Sequence, residues 1–130
     1  MLLDTSGLLC YFDRDEIRHI TAQTYFDLAT RKITHSYVLC EFVALAQARK
    51  FPRQAALDYV ADLAVHPDID VVWVGRALHE DGMEFLKKRL DKAYSLCDAV
   101  SFLVMQQRGL QEALTTDIHF EQTGFQRLLK

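Results

Sequence analysis

Four carboxylates stand out because their surroundings do not suit a charge. Glu41 falls on the stripe Val38, Glu41, Phe42, Leu45 and Ala48, whose helical spacing puts it on an apolar face. A carboxylate there is costly unless something compensates it, either a buried Arg or Lys partner or a function that needs the charge. Asp98 lies between Cys97 and Ala99 at the head of the most apolar segment, where the helix dipole offers it an equally good structural role. Asp4 and Asp117 each follow a short apolar run directly. Each serves equally well as the cap of a following helix or as a ligand-binding group at a strand end.

Their combination decides more than any member. Acids that gather on one edge repel one another and raise one another's pKa values until a divalent cation neutralises them. No Cys/His pair accompanies them, and oxygen donors alone favour Mg²⁺ or Mn²⁺ over zinc. The charge balance agrees: 18 acidic residues face 15 basic ones, for a net charge of -3, and setting the four acids aside leaves 14 against 15. That balance excludes a strongly cationic coat for indiscriminate nucleic-acid binding, though not a local basic rim.

The elements that must position these acids are short. Leu2–Leu3 reads as a strand ending in a polar turn, Asp4-Thr5-Ser6-Gly7. A helix is expected from Asp13 to about Thr30, with Ile17, Ile20, Thr24 and Leu28 at helical spacing. A short strand follows at Ile33–Thr34, then a helix from Tyr37 to about Arg49 capped by Ser36, and another opened by Pro52 and running to Leu63. Ile69 to Val74 is β-branched and ends at Gly75. Arg76 to Leu90 is amphipathic, with Leu78, Met83, Phe85, Leu86 and Leu90 inward and Lys87, Lys88 and Arg89 outward. Leu96 to Gln107, apolar nearly all round, is a buried helix with Gly109 as its terminator. A strand at Ala113 to Thr116 precedes Asp117, and Phe125 to Leu129 suits strand or helix equally.

Strands alternating with helices predict an α/β fold with a parallel sheet covered on both faces. A length of 130 residues suits one domain spanning 1–130. Cys10, Cys40 and Cys97 form no paired framework, so they read as small buried hydrophobes of a cytoplasmic protein. The start Met-Leu-Leu-Asp has no basic segment before its apolar residues, and no run is long enough to span a membrane, so neither export nor a membrane is expected.

The segments carrying the acids resemble a PIN domain, and within that group the single-domain VapC-type ribonuclease toxins. They are L-L-D-T-S-G-L-L (Leu2–Leu9), Y-V-L-C-E-F (Tyr37–Phe42), Y-S-L-C-D-A-V-S-F (Tyr94–Phe102) and A-L-T-T-D-I-H-F-E-Q-T-G-F (Ala113–Phe125). Phe51 to Asp91 matches only in pattern. The resemblance implies a three-layer sandwich, a short central parallel sheet flanked by helices. It further implies that Asp4, Glu41, Asp98 and Asp117 hold one or two Mg²⁺ or Mn²⁺ ions and cleave single-stranded or looped RNA. Ser6, Thr115 and Thr116 would orient those carboxylates. A homodimer and a small cognate antitoxin are implied as well. Hydrolysis in such a site uses water and not the RNA 2′-hydroxyl, so 5′-phosphate and 3′-hydroxyl ends are expected.

Weaker candidates for contacting RNA are Lys87, Lys88, Arg89 and Lys92, together with Arg14 and His119; a basic run on a helix equally serves as a solvated face. A receiver-like domain wants an acidic pair at the first strand and a Lys near the last, and phosphoryl-aspartate chemistry wants D-x-D; Asp4-Thr5-Ser6 offers neither acid pair. The remaining alternative is a PIN scaffold that binds RNA or protein without cleaving it.

Overall fold

The computed structural model describes all 130 residues. Its elements run β1 (Leu2–Leu3), α1 (Thr5–Phe12), α2 (His19–Leu28), β2 (Lys32–His35), α3 (Ser36–Ala48) and α4 (Arg53–Val65), then β3 (Ile69–Val72), α5 (Arg76–Lys87), α6 (Leu96–Arg108), β4 (Glu112–Leu114), α7 (His119–Gln122) and β5 (Gln126–Arg127). The five strands form one sheet in the order β3-β2-β1-β4-β5, every neighbouring pair parallel. β1 is therefore the central strand, and its two residues divide the core. Successive strand side chains point to opposite faces. Leu3 accordingly packs with residues of α1 to α4, and Leu2 with those of α5, α6 and α7. Helices on both faces of a parallel sheet give the expected three layers.

Several elements differ from their sequence reading. Asp4-Thr5-Ser6-Gly7 is no turn: Asp4 holds extended backbone and α1 starts at Thr5. Helix between 13 and 30 begins only at His19. Its inward face is Ala22 and Phe26, leaving Ile17, Ile20 and Leu28 exposed. A small and an aromatic residue outrank three aliphatic ones there because α2 lies close on α1, where Phe26 stacks with Tyr11 at 4.5 Å. α5 stops at Lys87, so Leu90 is outside it and exposed; Met83 is partly exposed, and of the three cysteines Cys40 lies on the surface while Cys10 and Cys97 are buried. Ser36 is the first residue of α3, and its Oγ accepts a bond from the Val74 amide across to the end of β3. The last ambiguous segment is a strand, and Gly109 closes α6 in the left-handed conformation, φ 65°.

One buried polar pair pins the sheet to α6. His35, fully buried, meets Ser101 Oγ through Nε2 at 2.7 Å, while its Nδ1 has no partner. Burial pushes the imidazole pKa down to about 4, so the ring is neutral. Ser101→Ala would leave both ring nitrogens unpaired in the core. We expect a loss of about 1–3 kcal/mol in urea-induced unfolding, with unchanged slope.

Candidate active site

Every strand's carboxyl end opens on one edge of the sheet, and there the four acids meet. Asp4 follows β1 and is the N-cap of α1, yet its side chain makes no capping bond. Its Oδ2 instead accepts from Thr115 Oγ1 at 2.7 Å and from Ser6 Oγ at 3.4 Å. Thr115 and Thr116 are the first two residues past the end of β4, and the Thr115 carbonyl still accepts from the Leu129 amide. The amide of Thr116 donates to Ser6 Oγ and that of Asp117 to Thr115 Oγ1, which fastens both hydroxyls against the first acid.

Asp98 fills two roles at once. Ser95 and Asp98 form a reciprocal capping box at the start of α6, with the Ser95 amide donating to Asp98 Oδ2 at 3.0 Å. The structural role open to Asp98 is thus real, and the same oxygen lies 3.2 Å from His119 Nδ1. Asp117 turns its Oδ1 to the His119 amide at 2.9 Å and lies 3.4 Å from the His119 ring nitrogen. Asp98, Asp117 and His119 present ligand atoms all within 4.8 Å of one another. Glu41, half-buried on α3, makes no hydrogen bond and no ion pair.

These side chains line one cleft of about 310 Å³ together with Thr5, Ser6, Ser95 and Arg49. No lysine or arginine nitrogen lies within 4.0 Å of any of the four carboxylates; only His119 does. The alternative explanation for Glu41, a buried basic partner, therefore fails. The electrostatic consequence is largest at Asp4. Burial raises its carboxyl pKa to about 7 against the opposing Thr115 bond, and repulsion from Asp98 and Glu41 adds to the rise. Asp98 is raised too, by burial first and by Asp117, against its bond from Ser95 and the nearby His119.

The donor set fits a divalent cation that prefers oxygen. It comprises four carboxylates and one imidazole, and the adjacent Cys97 thiol is pushed far up by burial and by Glu41, Asp4 and Asp98, so it offers no thiolate. Asp98, Asp117 and His119 have the ligand atoms already gathered for such an ion, and Asp4 and Glu41 line the same cleft outside that close group.

The weaker candidates scatter. α1 carries the chain about 12 Å from Asp4, so Arg14, beyond its far end, does not line the cleft. Lys87 pairs with Glu84, and Lys88 faces a depression with Asp81 that Arg89 also lines. Arg89 and Lys92 together line a groove on the other side of Phe85. His119, read only as a phosphate contact, sits between two acids instead. Thr5 and Arg49 went unnoticed because nothing in their spacing marks them, whereas the pattern Ser95-x-x-Asp98 was a legible capping box.

A central parallel sheet, a central first strand and an acid-lined edge with hydroxyl supports define a class that the comparisons name. The PIN domain family matches residues 1–126, and the chain belongs to it. Among characterised proteins, the "23S rRNA-specific endonuclease VapC20" of Mycobacterium tuberculosis, from strain H37Rv and strain CDC 1551 alike, is 29% identical over 126 residues, covering 96% of this chain and 95% of the relative. The crystal structure of Mycobacterium tuberculosis VapC20, titled a sarcin-ricin loop cleaving toxin, superposes with a TM-score of 0.89 at 28% identity, covering 99% of this chain and 98% of that one.

Proposed function

We propose that residues 1–130 act as one nuclease domain, a divalent-cation-dependent endoribonuclease that hydrolyses RNA phosphodiester bonds as the toxin of a type II toxin-antitoxin pair. The single observation that carries this reading is the cluster around Asp4: a fully buried carboxyl facing Asp98 and Glu41, with hydroxyl supports and no basic counter-charge. The likeness to VapC20 supports the same reading and supplies a first substrate to test, the sarcin-ricin loop of 23S rRNA. A cognate antitoxin, a homodimeric state and a cytoplasmic site of action belong to this proposal. No helix is long and apolar enough to cross a membrane.

Bound in the cleft, Mg²⁺ or Mn²⁺ lowers the pKa of water and stabilises charge on the scissile phosphate. The chain's own residues do the rest. Asp98, Asp117 and His119 gather donors at the mouth of α6, and Asp4 and Glu41 close the set from β1 and α3. Thr115 and Ser6 fix Asp4 Oδ2, which leaves Oδ1 directed by the same bonds. Oxygens held this way need little rearrangement when charge develops.

The test is cleavage of a sarcin-ricin-loop RNA with Mn²⁺, set beside Asp98→Asn. The amide oxygen still accepts from Ser95, so the helix cap survives while the charge is lost. Cleavage is expected to fall by roughly 10²- to 10³-fold, to stop with EDTA, and to leave 5′-phosphate ends. Equal cleavage by both proteins would expose a contaminant, and a 2′,3′-cyclic phosphate product would contradict water as the nucleophile.

A further inference from the structure

An acidic cleft repels the polyanion it is meant to receive, so attraction must come from cations beside it. Many of the basic side chains are already engaged. Arg18, Arg76, Lys87, Arg108, Arg127 and Lys130 are ion-paired at 2.7–3.4 Å, and Lys32 is buried against the end of α2. Arg49 lines the cleft itself. The other uncommitted charge adjoining it belongs to Arg89 and Lys92.

These two line a groove of about 430 Å³, somewhat larger than the acidic cleft. The wall between the two is one residue thick. Ala93 and Ser95 face the cleft, while Tyr94 between them faces the groove, its ring 5.1 Å from that of His119. Arg89 is held in place: its guanidinium lies 3.6 Å over the Phe85 ring and donates to the Phe85 carbonyl, leaving its other donors free. A fork fixed in this way loses little entropy on meeting a phosphate. Lys92 is only loosely tied, 4.0 Å from Asp91, which also lines the groove. Across from them stand Gln106 and Gln122, both exposed, with no hydrogen bond from either side chain to the protein.

We infer that this groove is a nucleotide subsite: the RNA strand crosses Tyr94 out of the acidic cleft, Arg89 and Lys92 take the neighbouring phosphate, and Gln106 and Gln122 meet the edge of the adjoining base. The inference rests on the nuclease reading and extends it. Cations for phosphate, an aromatic ring for stacking and free amides for a base edge are the three chemistries of single-strand recognition. An acidic peptide would use the cations alone and leave the amides idle.

The experiment measures binding of a fluorescent sarcin-ricin-loop hairpin by anisotropy over a range of KCl, in the uncleaving Asp98→Asn background. Lys92→Ala is expected to weaken binding about three- to ten-fold and to reduce the salt slope by about 0.7, one phosphate contact on a single strand. Gln122→Ala should weaken it about five-fold with the slope unchanged, as for one lost uncharged hydrogen bond. In the cleaving protein both should raise KM with kcat intact. Arg14→Ala, exposed and lining neither the cleft nor the groove, is the control. If Lys92→Ala and Gln122→Ala bind RNA as the control does, the subsite is wrong while the nuclease reading stands. If they weaken a purified protein partner and leave RNA affinity intact, the groove is a protein site and the inference fails. If the parent protein neither binds this hairpin nor cleaves any RNA offered with Mn²⁺, the nuclease reading falls and takes the groove with it.

Discussion

Asp4→Asn is expected to abolish cleavage and, in the metal-free protein, to raise stability. The two effects have one origin. Burial pushes the Asp4 carboxyl up to about 7 in the folded chain, against about 3.9 when unfolded. Between those values the folded state binds more protons than the unfolded one, so unfolding free energy falls as pH rises. Above about pH 7 the penalty is complete, roughly 4 kcal/mol at about 1.4 kcal/mol for each pKa unit. Asparagine keeps the acceptor for Thr115 and carries no charge. At pH 8 with EDTA the variant should therefore melt about 10 °C above the parent, and the gap should close toward pH 4. Mn²⁺ should raise the parent's Tm more than the variant's. Thermal melts across pH check this; parallel curves at pH 4 and pH 8 would mean that Asp4 carries no such burden.

The second large effect is expected at Gly7. A Cβ built there would lie 1.9 Å from the Leu114 carbonyl oxygen and 2.5 Å from its carbon. Both belong to the backbone of β4, which is paired to β1, so neither side can give way cheaply. Gly7→Ala should cost about 3 kcal/mol or more. It should also cut activity, because moving α1 off β4 separates Ser6 and Asp4 from Thr115. Gly82→Ala is the contrasting case. Gly82 lies inside α5, and a Cβ there would meet side chains of α6 alone, Leu96 at 3.1, Val100 at 3.3 and Ala99 at 4.0 Å. Near-neutral stability is expected there, since relief of the helix penalty for glycine offsets a small side-chain shift. Denaturant melts of the pair decide it; equal losses would refute the role given to the α1–β4 contact.

Gly7 also marks the limit of what was legible. The acids could be found because each sits where local chemistry disfavours it: Glu41 on an apolar stripe, Asp98 heading an apolar helix, Asp4 and Asp117 at strand ends. The layered fold followed from alternating strands and helices, and α6 with Gly109 from its uniform apolarity. The start of α1 did not follow, because Asp-Thr-Ser-Gly suits a turn as well as a helix start. Only the close approach of α1 to β4 explains the glycine. Likewise Ile17, Ile20 and Leu28 keep helical spacing while Ala22 and Phe26 do the packing, since burial is set by neighbours distant in the chain, such as Tyr11 and His66 against Phe26. Exposed cations carry no periodic signal, so the basic candidates could be sorted only by their partners in space.

The bond from Thr115 to Asp4 joins residues 111 apart in the chain, and β1 in the middle of the sheet waits for β4 before its second edge is paired. Such long-range parallel pairing forms late. Asp4 therefore lacks its Thr115 support until β4 has docked on β1, so the acidic edge is completed only in the last stage of folding.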